Sequence, residues 1–199
     1  MKGVATPATT RGRAAARAPR SRAAARAALS AAAIGLALDE DLATVFTAQL
    51  LNSDEDAVGR MLNDPNAIVS LSDAGAHLTF FNDAGFGLHL LGHWSRDIGA
   101  MALEEAVRRL TSHPADILGL ERRGRIRVGD AADLLLFDPK TVGRGPKRRV
   151  HDLPAGAARL TTDAVGVHGV WVNGARVADA NGLVPETPLA GELLTRFGS

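Results

Sequence analysis

An acidic side chain and a histidine follow an apolar run near the middle of the chain. The run, residues 67–71 (AIVSL), is followed directly by residues 72–77 (SDAGAH). The carboxylate of Asp73 could act as a general base toward water and then as a general acid toward a leaving nitrogen. A Ser-Asp-x-Gly stretch is also ordinary turn chemistry. The residues alone leave both interpretations open, and by themselves they favour the turn.

Histidines supply the other candidate ligands, because the sequence contains no cysteine. His89 and His93 have the i,i+4 spacing that can chelate zinc on one helical face. No glutamate lies between them in a His-Glu-x-x-His arrangement and no third ligand is evident, so we favour packing or surface roles, with a metal site as the lesser alternative. His113, which precedes Pro114, is interpreted as structural. Arg96 could meet a substrate carboxylate, but an exposed helical arginine is the simpler interpretation.

The charge is unevenly distributed along the chain. Residues 1–33 contain seven cations and no acid, and the remaining residues contain 16 cations and 22 acids, a net charge of −6. An acidic body argues against a nucleic-acid surface, and no apolar run reaches the roughly 18 residues of a membrane span. The Ala/Arg-rich leader could be a transit peptide or a nucleic-acid arm, but we favour a disordered or spurious segment. The absence of cysteine fits a reducing compartment, and we expect the cytoplasm.

Apolar periodicity and capping residues predict a helical first part of the body. Residues 67–71 are apolar on both faces, which is typical of a strand in a covered parallel sheet, and Asp73 lies just beyond its carboxyl end, where such sheets carry their chemistry. The first predicted helix is residues 39–51, with Asp39 as N-cap, and the second runs from Ser53 to the break at residues 64–66. A third helix, residues 88–98, carries Leu90, Leu91 and Trp94. Residues 103–110 form a fourth, with Glu104–Arg108 and Glu105–Arg109 pairs, and Ser112 caps a short fifth helix.

The pattern changes to β-structure after Gly124. Residues 125–128 alternate, residues 133–138 form a buried strand stopped by Pro139, and residues 165–172 and 175–178 flank Asn173-Gly174, a strong hairpin signal. The basic, Gly- and Pro-containing residues 143–156, with the cluster Lys147-Arg148-Arg149, are interpreted as an exposed connection. Trp94 and Trp171 are expected in the core or at a domain interface.

Several of these stretches resemble one enzyme family. Residues 68–77 (IVSLSDAGAH) closely resemble the last barrel strand and following loop of the D-aminoacylases, or N-acyl-D-amino-acid deacylases, in the amidohydrolase superfamily. Residues 112–139 (SHPADILGLERRGRIRVGDAADLLLFDP) resemble the passage from barrel to β-sandwich shared with dihydroorotases and hydantoinases. Residues 170–174 (VWVNG) and 191–196 (GELLTR) resemble the closing hairpin and tail. The resemblance spans roughly residues 36–199.

The resemblance implies an (α/β)8 barrel enzyme that hydrolyses an amide with one or two divalent metals, usually zinc. It gives Asp73 the role of general acid/base, His77 that of a substrate contact, and Gly75 that of a flexible backbone position near the metal pocket. Family members place metal ligands on earlier strands, including a His-x-His pair, and this sequence has no His-x-His. A complete barrel also needs about 250 residues. For both reasons we assign no residue of this sequence as a metal ligand.

We therefore predict an α/β fold: the carboxyl-terminal portion of a (β/α)8 amidohydrolase barrel plus a small β-sandwich domain. Residues 1–35 form a disordered leader, residues 36–122 the last strand and helices of an incomplete barrel, and residues 123–199 the β-domain. The intact protein would hydrolyse N-acyl-D-amino acids or related acylated amines with zinc, and this chain alone would be inactive. The alternative is a non-catalytic binding or assembly module that pairs with a separately encoded amino-terminal half.

Overall fold

The structure, a computed structural model, describes residues 21–46, 51–195, 197 and 198. Two compact units, Met1–Leu51 and Asn52–Ser199, divide the chain. None of the helices in the described ranges has the length and apolar character needed to cross a membrane.

The first unit contains one long helix, α1 (Arg22–Asp39). Ser21 caps its start, since the Ser21 hydroxyl accepts from the Ala24 amide at 3.2 Å. No residue of α1 is buried, so the helix rests on the intrinsic helix propensity of its many alanines rather than on packing. Part of the predicted leader, residues 22–33, is thus helical, whereas residues 1–20 lie outside the described residues.

The helix predicted over residues 39–51 is wrong in its described part. Asp39 is the last residue of α1 and not an N-cap, and residues 43–46 have no helical structure. Asp41 and Leu42 have φ of 49° and 64°, left-handed values that interrupt a right-handed helix. Residues 47–50 lie outside the described residues.

Short helices form the first half of the second unit. They are α2 (Glu55–Asn63), α3 (Phe86–His89), a π-helix (Leu90–Asp97), α4 (Leu103–Leu110) and α5 (Ser112–Leu118). Asp54 rather than Ser53 caps α2, and its carboxylate accepts from the Ala57 amide at 3.0 Å. Thr111 rather than Ser112 occupies the N-cap position of α5, which ends at Gly119 with φ 63°. The helices predicted after residue 53 are therefore confirmed, with shifts of one or two residues at several ends.

The π-helix supplies most of the core. Leu90, Leu91 and Trp94 are buried, as the sequence predicts, and they pack with Met101, Ala106 and Val142. The register is wider than that of an α-helix, because the Ile98 amide donates to the His93 carbonyl five residues earlier at 2.9 Å. The apolar spacing thus predicts a helix over this segment, but it does not distinguish a π-helix from an α-helix.

The second half of the unit is antiparallel β-structure. The strands are β1 (Leu134–Phe137), β2 (Gly143–Arg144), β3 (Arg148–Val150), β4 (Arg159–Thr161), β5 (Ala164–Val165), β6 (Val167–Val172), β7 (Ala175–Asp179) and β8 (Gly182–Leu183). One sheet has the order β1-β6-β7-β8, and the pairs β2-β5 and β3-β4 form two small sheets. Asn173 and Gly174 have φ of 46° and 84°, as a type I′ turn requires, so the predicted hairpin is confirmed.

Three β-region predictions need correction. Residues 125–128 form no strand, because Ile126 and Val128 have no partner strand in the described part of the chain and are almost fully exposed. The strand at Leu134–Phe137 forms, but Leu134, Leu135 and Leu136 are exposed rather than buried. Residues 143–156 are more than a connection: they contain β2, β3 and a 3-10 turn at Pro154–Gly156.

The parallel strand predicted at residues 67–71 is also wrong. No strand is assigned there; Val69 packs against the core while Leu71 is 83% exposed. A strand exists only where a neighbour satisfies its backbone hydrogen bonds, and the described residues place none beside this segment. In the described residues, helices lie on either side of this segment and no parallel strand is present.

Arg109 on α4 holds the segment that leads toward Asp73. Its buried guanidinium donates to the carbonyls of Asn63 at 2.7 Å, Ala67 at 3.2 Å and Asp64, and to the Glu105 carboxylate at 2.8 Å. The predicted Glu105–Arg109 pair is thus confirmed. The predicted Glu104–Arg108 pair is wrong, because Arg108 also pairs with Glu105, at 2.7 Å.

The shared carboxylate of Glu105 keeps its proton only in strong acid. Hydrogen bonds from Arg108 and then Arg109 lower the pKa of Glu105 to about 2. The carboxylate therefore stays ionised over the physiological range, and the Arg109 cation keeps its counter-charge. His113 on α5 reinforces the same turn, since its Nε2 donates to the Pro65 carbonyl at 2.9 Å, which fits the structural role expected for it.

We expect Arg109→Met to lower the free energy of unfolding by about 3 kcal/mol, because it removes the hydrogen bonds to the Asn63, Asp64 and Ala67 carbonyls and one cationic partner of Glu105. Arg108→Met is the matched control: its side chain is 43% exposed, and we expect a loss below about 1 kcal/mol. Urea denaturation followed by tryptophan fluorescence measures both. Equal losses for the two variants would contradict the proposed role of Arg109.

Candidate functional site

The loop that carries Asp73 turns sharply in left-handed backbone conformations. Asp73, Gly75 and His77 have φ of 51°, 93° and 49°. The Ser72 hydroxyl accepts from the Ala74 amide at 3.2 Å, and the Asp73 carbonyl accepts from the Ala76 amide at 3.3 Å. Glycine tolerates such φ values at no steric cost, which agrees with the backbone role expected for Gly75.

The turn does not use the Asp73 carboxylate. Its bonds come from the Ser72 side chain and from the Asp73 main chain, and the exposed Asp73 carboxylate accepts no hydrogen bond from the described residues. A turn alone would accept other residues that tolerate positive φ, such as asparagine. The geometry therefore gives no structural task to the acid group itself, and its catalytic role remains a prediction.

His77 is anchored by its own turn and by an aromatic neighbour. Its carbonyl accepts from the amides of Phe80 at 3.1 Å and Phe81 at 3.0 Å, and its ring stacks on Phe80 with centroids 5.1 Å apart. The following residue ties the loop to the β-region, since the Leu78 carbonyl accepts from Leu160 of β4 at 2.8 Å. His77 is exposed, and its contact with substrate is likewise a prediction.

Neither this loop nor any other described segment forms a metal site by itself. No group of three or more His, Asp or Glu side chains in residues 21–46 and 51–195 comes together as a ligand set. Zinc in a hydrolase needs three protein ligands and an open position. The residues present do not fit a catalytic metal, so no reaction step through a metal follows from this chain alone.

A cavity of about 200 Å³ lies beside the π-helix, and none of the predicted site residues Asp73, Gly75 and His77 lines it. Its lining consists of His89, Gly92, His93, Arg96, Asp97, Gly143 and Arg144. Gly92 makes the close approach possible, because a Cβ there would lie 2.6 Å from the Val142 carbonyl oxygen. The π-helix and β2 therefore form opposite walls of one polar cavity.

His89 and His93 stack against each other on the helical wall. Their ring centroids are 4.6 Å apart and their planes are nearly parallel, at 11°. The His93 Nε2 lies 3.0 Å from a Glu55 carboxylate oxygen at the start of α2, and the Trp94 ring meets the His93 ring edge-on at 5.3 Å. The spacing that suggested a chelating pair thus produces a stacked pair, one member of which is held by a carboxylate.

Arginines form the cationic part of the lining. Arg96 is engaged within the protein: its guanidinium donates to both Asp97 carboxylate oxygens, at 2.8 and 3.2 Å, and to the Val142 carbonyl at 2.5 Å. Arg96 therefore lowers the pKa of Asp97 and has little capacity for a substrate carboxylate. Arg144 donates to the Ala84 carbonyl at 3.4 Å, and its nearest carboxylate, on Asp83, is 3.6 Å away.

Arg144 lies in a segment that the sequence predicts to be an exposed connection, so it is not among the predicted site residues. A two-residue strand has no periodicity to detect, and the pairing of Gly143-Arg144 with Ala164-Val165 is a tertiary contact. The neighbouring basic cluster is also structured: Arg148 forms an ion pair with Asp163 at 2.9 Å, and Lys147 lies 3.1 Å from Asp83. Trp171 lies on β6 with the Arg176 guanidinium 5.6 Å over its ring.

Burial controls the protonation of His89. Loss of hydration, followed by the positive neighbours His93 and Arg144, lowers the pKa of His89 from 6.5, while Glu55 and Asp83 oppose the shift. The neutral ring is therefore favoured at neutral pH. Because the unfolded chain binds this proton more readily, folding stability falls as the pH drops below 6.5 toward the folded-state pKa.

We expect NMR titration of the His89 ring to show a pKa below 6.5, and His93→Gln to raise it part of the way back, because it removes a neighbouring positive charge. His168→Gln, at an exposed site on β6, is the matched control and should leave the His89 titration unchanged. An unchanged His89 pKa in His93→Gln would contradict this electrostatic coupling.

Known proteins similar to this chain include deacylases. D-aminoacylase from Alcaligenes xylosoxydans xylosoxydans is 41% identical over 88 residues, which cover 44% of this chain and 16% of that protein. N-acyl-D-glutamate deacylase from the same organism is 34% identical over 110 residues, which cover 55% of this chain and 20% of that protein. The chain thus spans a fifth or less of the length of these curated relatives.

A solved structure gives a related match. N-acyl-D-glutamate deacylase from Bordetella bronchiseptica, crystallised with zinc and a phosphonate inhibitor that mimics the tetrahedral intermediate, is 35% identical; the match covers 53% of this chain and 19% of that one, with a TM-score of 0.37. The sequence profile of the amidohydrolase family matches residues 3–178, most of the chain. The chain therefore belongs to the amidohydrolase family.

Proposed function

We propose that this chain is the carboxyl-terminal part of a metal-dependent amidohydrolase that hydrolyses the amide bond of N-acyl-D-amino acids or related acylated amines. The 41% identity with D-aminoacylase carries this proposal. The share of the relatives that the chain spans, 16–20%, supports a role as one portion of a larger catalytic unit.

In that unit, Asp73 is the general acid/base. Amide hydrolysis needs a group that removes a proton from the attacking water and later protonates the leaving nitrogen. The unpaired Asp73 carboxylate is available for both steps, since the loop geometry is made by Ser72 and by main-chain bonds. His77 contacts the substrate, and Gly75 lies between Asp73 and His77 in a loop where all three residues have left-handed φ.

Zinc belongs to the intact enzyme and not to this chain alone. The relative from Bordetella bronchiseptica was crystallised with zinc. When bound, such a metal supplies an acidic water and a positive charge for the tetrahedral intermediate. Without it, the pKa of water stays far above the physiological range, and one exposed carboxylate cannot offset that deficit.

We expect the purified 199-residue chain, supplied with zinc, to release no D-methionine from N-acetyl-D-methionine, because the described residues include no metal ligand set. D-amino-acid oxidase coupling measures the product. Zinc-dependent release above the rate of a heat-denatured sample would contradict the proposal that the chemistry needs further chain.

In an active assembly of this chain with the amino-terminal portion of D-aminoacylase, we expect Asp73→Asn to lower kcat by a factor of about 100 or more. Asparagine tolerates left-handed φ as well as aspartate does, so the loop should keep its fold. Asp56→Asn, on exposed α2, is the matched control. If Asp73→Asn changes only the melting temperature, Asp73 is a turn residue.

A second candidate function is a non-catalytic assembly module that binds a separately encoded amino-terminal half. Apolar exposure favours it: Ile126 and Val128 are 90% and 108% exposed, and three consecutive leucines of β1 are also exposed. Apolar surface of this extent is typical of a site that another protein covers.

We expect co-expression with the amino-terminal portion of D-aminoacylase to give a complex that co-purifies, and Ile126→Asp to weaken it about tenfold or more by placing a charge in the apolar contact. Arg127→Asp, at the adjacent exposed position, is the matched control with a smaller effect. A monodisperse monomer under co-expression would contradict the assembly role.

A further inference from the structure

The lining of the cavity between the π-helix and β2 contains more side chains that can donate hydrogen bonds than acidic side chains. Two arginines and two histidines line it, against one aspartate. We propose that this cavity binds a small oxyanion, of the carboxylate or phosphate type, with Arg144 and His89 as its principal donors. The inference concerns the cavity alone and does not depend on the proposed function.

Only one of the two arginines is free to receive a ligand. Arg96 is neutralised by its two-point contact with Asp97 and also donates to Val142. Arg144 makes one long hydrogen bond, of 3.4 Å, and its Nε and Nη2 groups have no hydrogen-bond partner among the described residues. A guanidinium with a free edge matches the two oxygens of a carboxylate or phosphate.

The counter-charge of Arg144 is weak. Asp83 lies 3.6 Å from the Arg144 guanidinium but is closer to Lys147, at 3.1 Å. The stem of Arg144 is positioned by Gly85, where a Cβ would lie 3.2 Å from the Arg144 Cγ and Cδ. The side chain is thus held over the first turn of α3 while its charged end remains incompletely paired.

His89 contributes a donor whose strength depends on pH. Its ring makes no hydrogen bond to the described residues and stacks on His93, which is held by Glu55. The charged or titratable groups that act on it are His93, Arg144, Glu55, Asp83 and Asp97. Since burial and cationic neighbours disfavour the protonated ring, an anion in the cavity would relieve that penalty and be bound more tightly as the ring gains its proton.

The volume suits a small group. It is about 200 Å³ in a cavity that is partly open to solvent. That space suits one oxyanion with a short attached chain. The polar lining, with backbone supplied by Gly92 and Gly143, offers little apolar surface for a larger molecule.

The test is an NMR titration of the full chain with sodium sulfate and with sodium acetate, at constant ionic strength set by sodium chloride. Both probes keep their charge between about pH 6 and pH 8. We expect saturable shifts of the His89 and His93 ring signals, tighter binding at the lower pH, and a raised His89 pKa in the presence of the anion. Preference for sulfate indicates a phosphate-type ligand, and preference for acetate indicates a carboxylate.

Substitutions distinguish a specific anion-binding site from a general effect of the protein's positive charge on anion binding. We expect Arg144→Gln to weaken sulfate or acetate binding at least tenfold, and Arg127→Gln, which removes the same charge at an exposed position, to leave it unchanged. His89→Gln should remove most of the pH dependence while a folded spectrum is retained. Should Arg144→Gln not fold, Arg144→Lys keeps the charge and loses the planar edge, and several-fold weaker binding is then expected.

The proposal is overturned by any of three results. These are shifts that rise linearly without saturation for both probes, equal weakening by Arg144→Gln (or Arg144→Lys) and Arg127→Gln, and a His89 pKa that the anion does not change.

Discussion

A single buried cation, Arg109, organises the helical half of the second unit. Its guanidinium donates to carbonyls at the end of α2 and in the following turn, from a helix more than 40 residues further along the chain. These hydrogen bonds couple α2, the turn after it and α4. Together with the bond from His113 to the Pro65 carbonyl, they set the path of the chain toward Asp73.

The sequence predicts well wherever local chemistry decides the outcome. The N-caps of α2 and α5, the αL glycine after α5 and the Asn173-Gly174 turn are set by neighbouring residues, and their positions agree with the structure within one or two residues. The N-cap predicted at Asp39 is wrong, because α1 ends at that residue. The apolar spacing likewise places Leu90 and Trp94 inward. Such features need no knowledge of distant partners.

Prediction fails where the outcome depends on a partner. Residues 67–71 have the composition of a buried strand, but a strand also needs a neighbour, and none adjoins it in the described part of the chain. Leu134 to Leu136 are exposed although β1 pairs with β6, because burial also needs an element packed over the face of the sheet. For the site, the SDAGAH resemblance located Asp73 and His77, whereas Arg144 became visible only through the pairing of β2 with β5 and its approach to the π-helix.

The structure depends on how many residues the π-helix contains as well as on their types. Each turn of its i+5 register contains about one residue more than an α-helix does. Removing one residue between Leu90 and Asp97 would replace i+5 hydrogen bonds by i+4 bonds and change which side chains of the segment face the core and the cavity. The segment is therefore sensitive to a change in length, as it is to a side chain at Gly92, where a Cβ would lie 2.6 Å from the Val142 carbonyl oxygen.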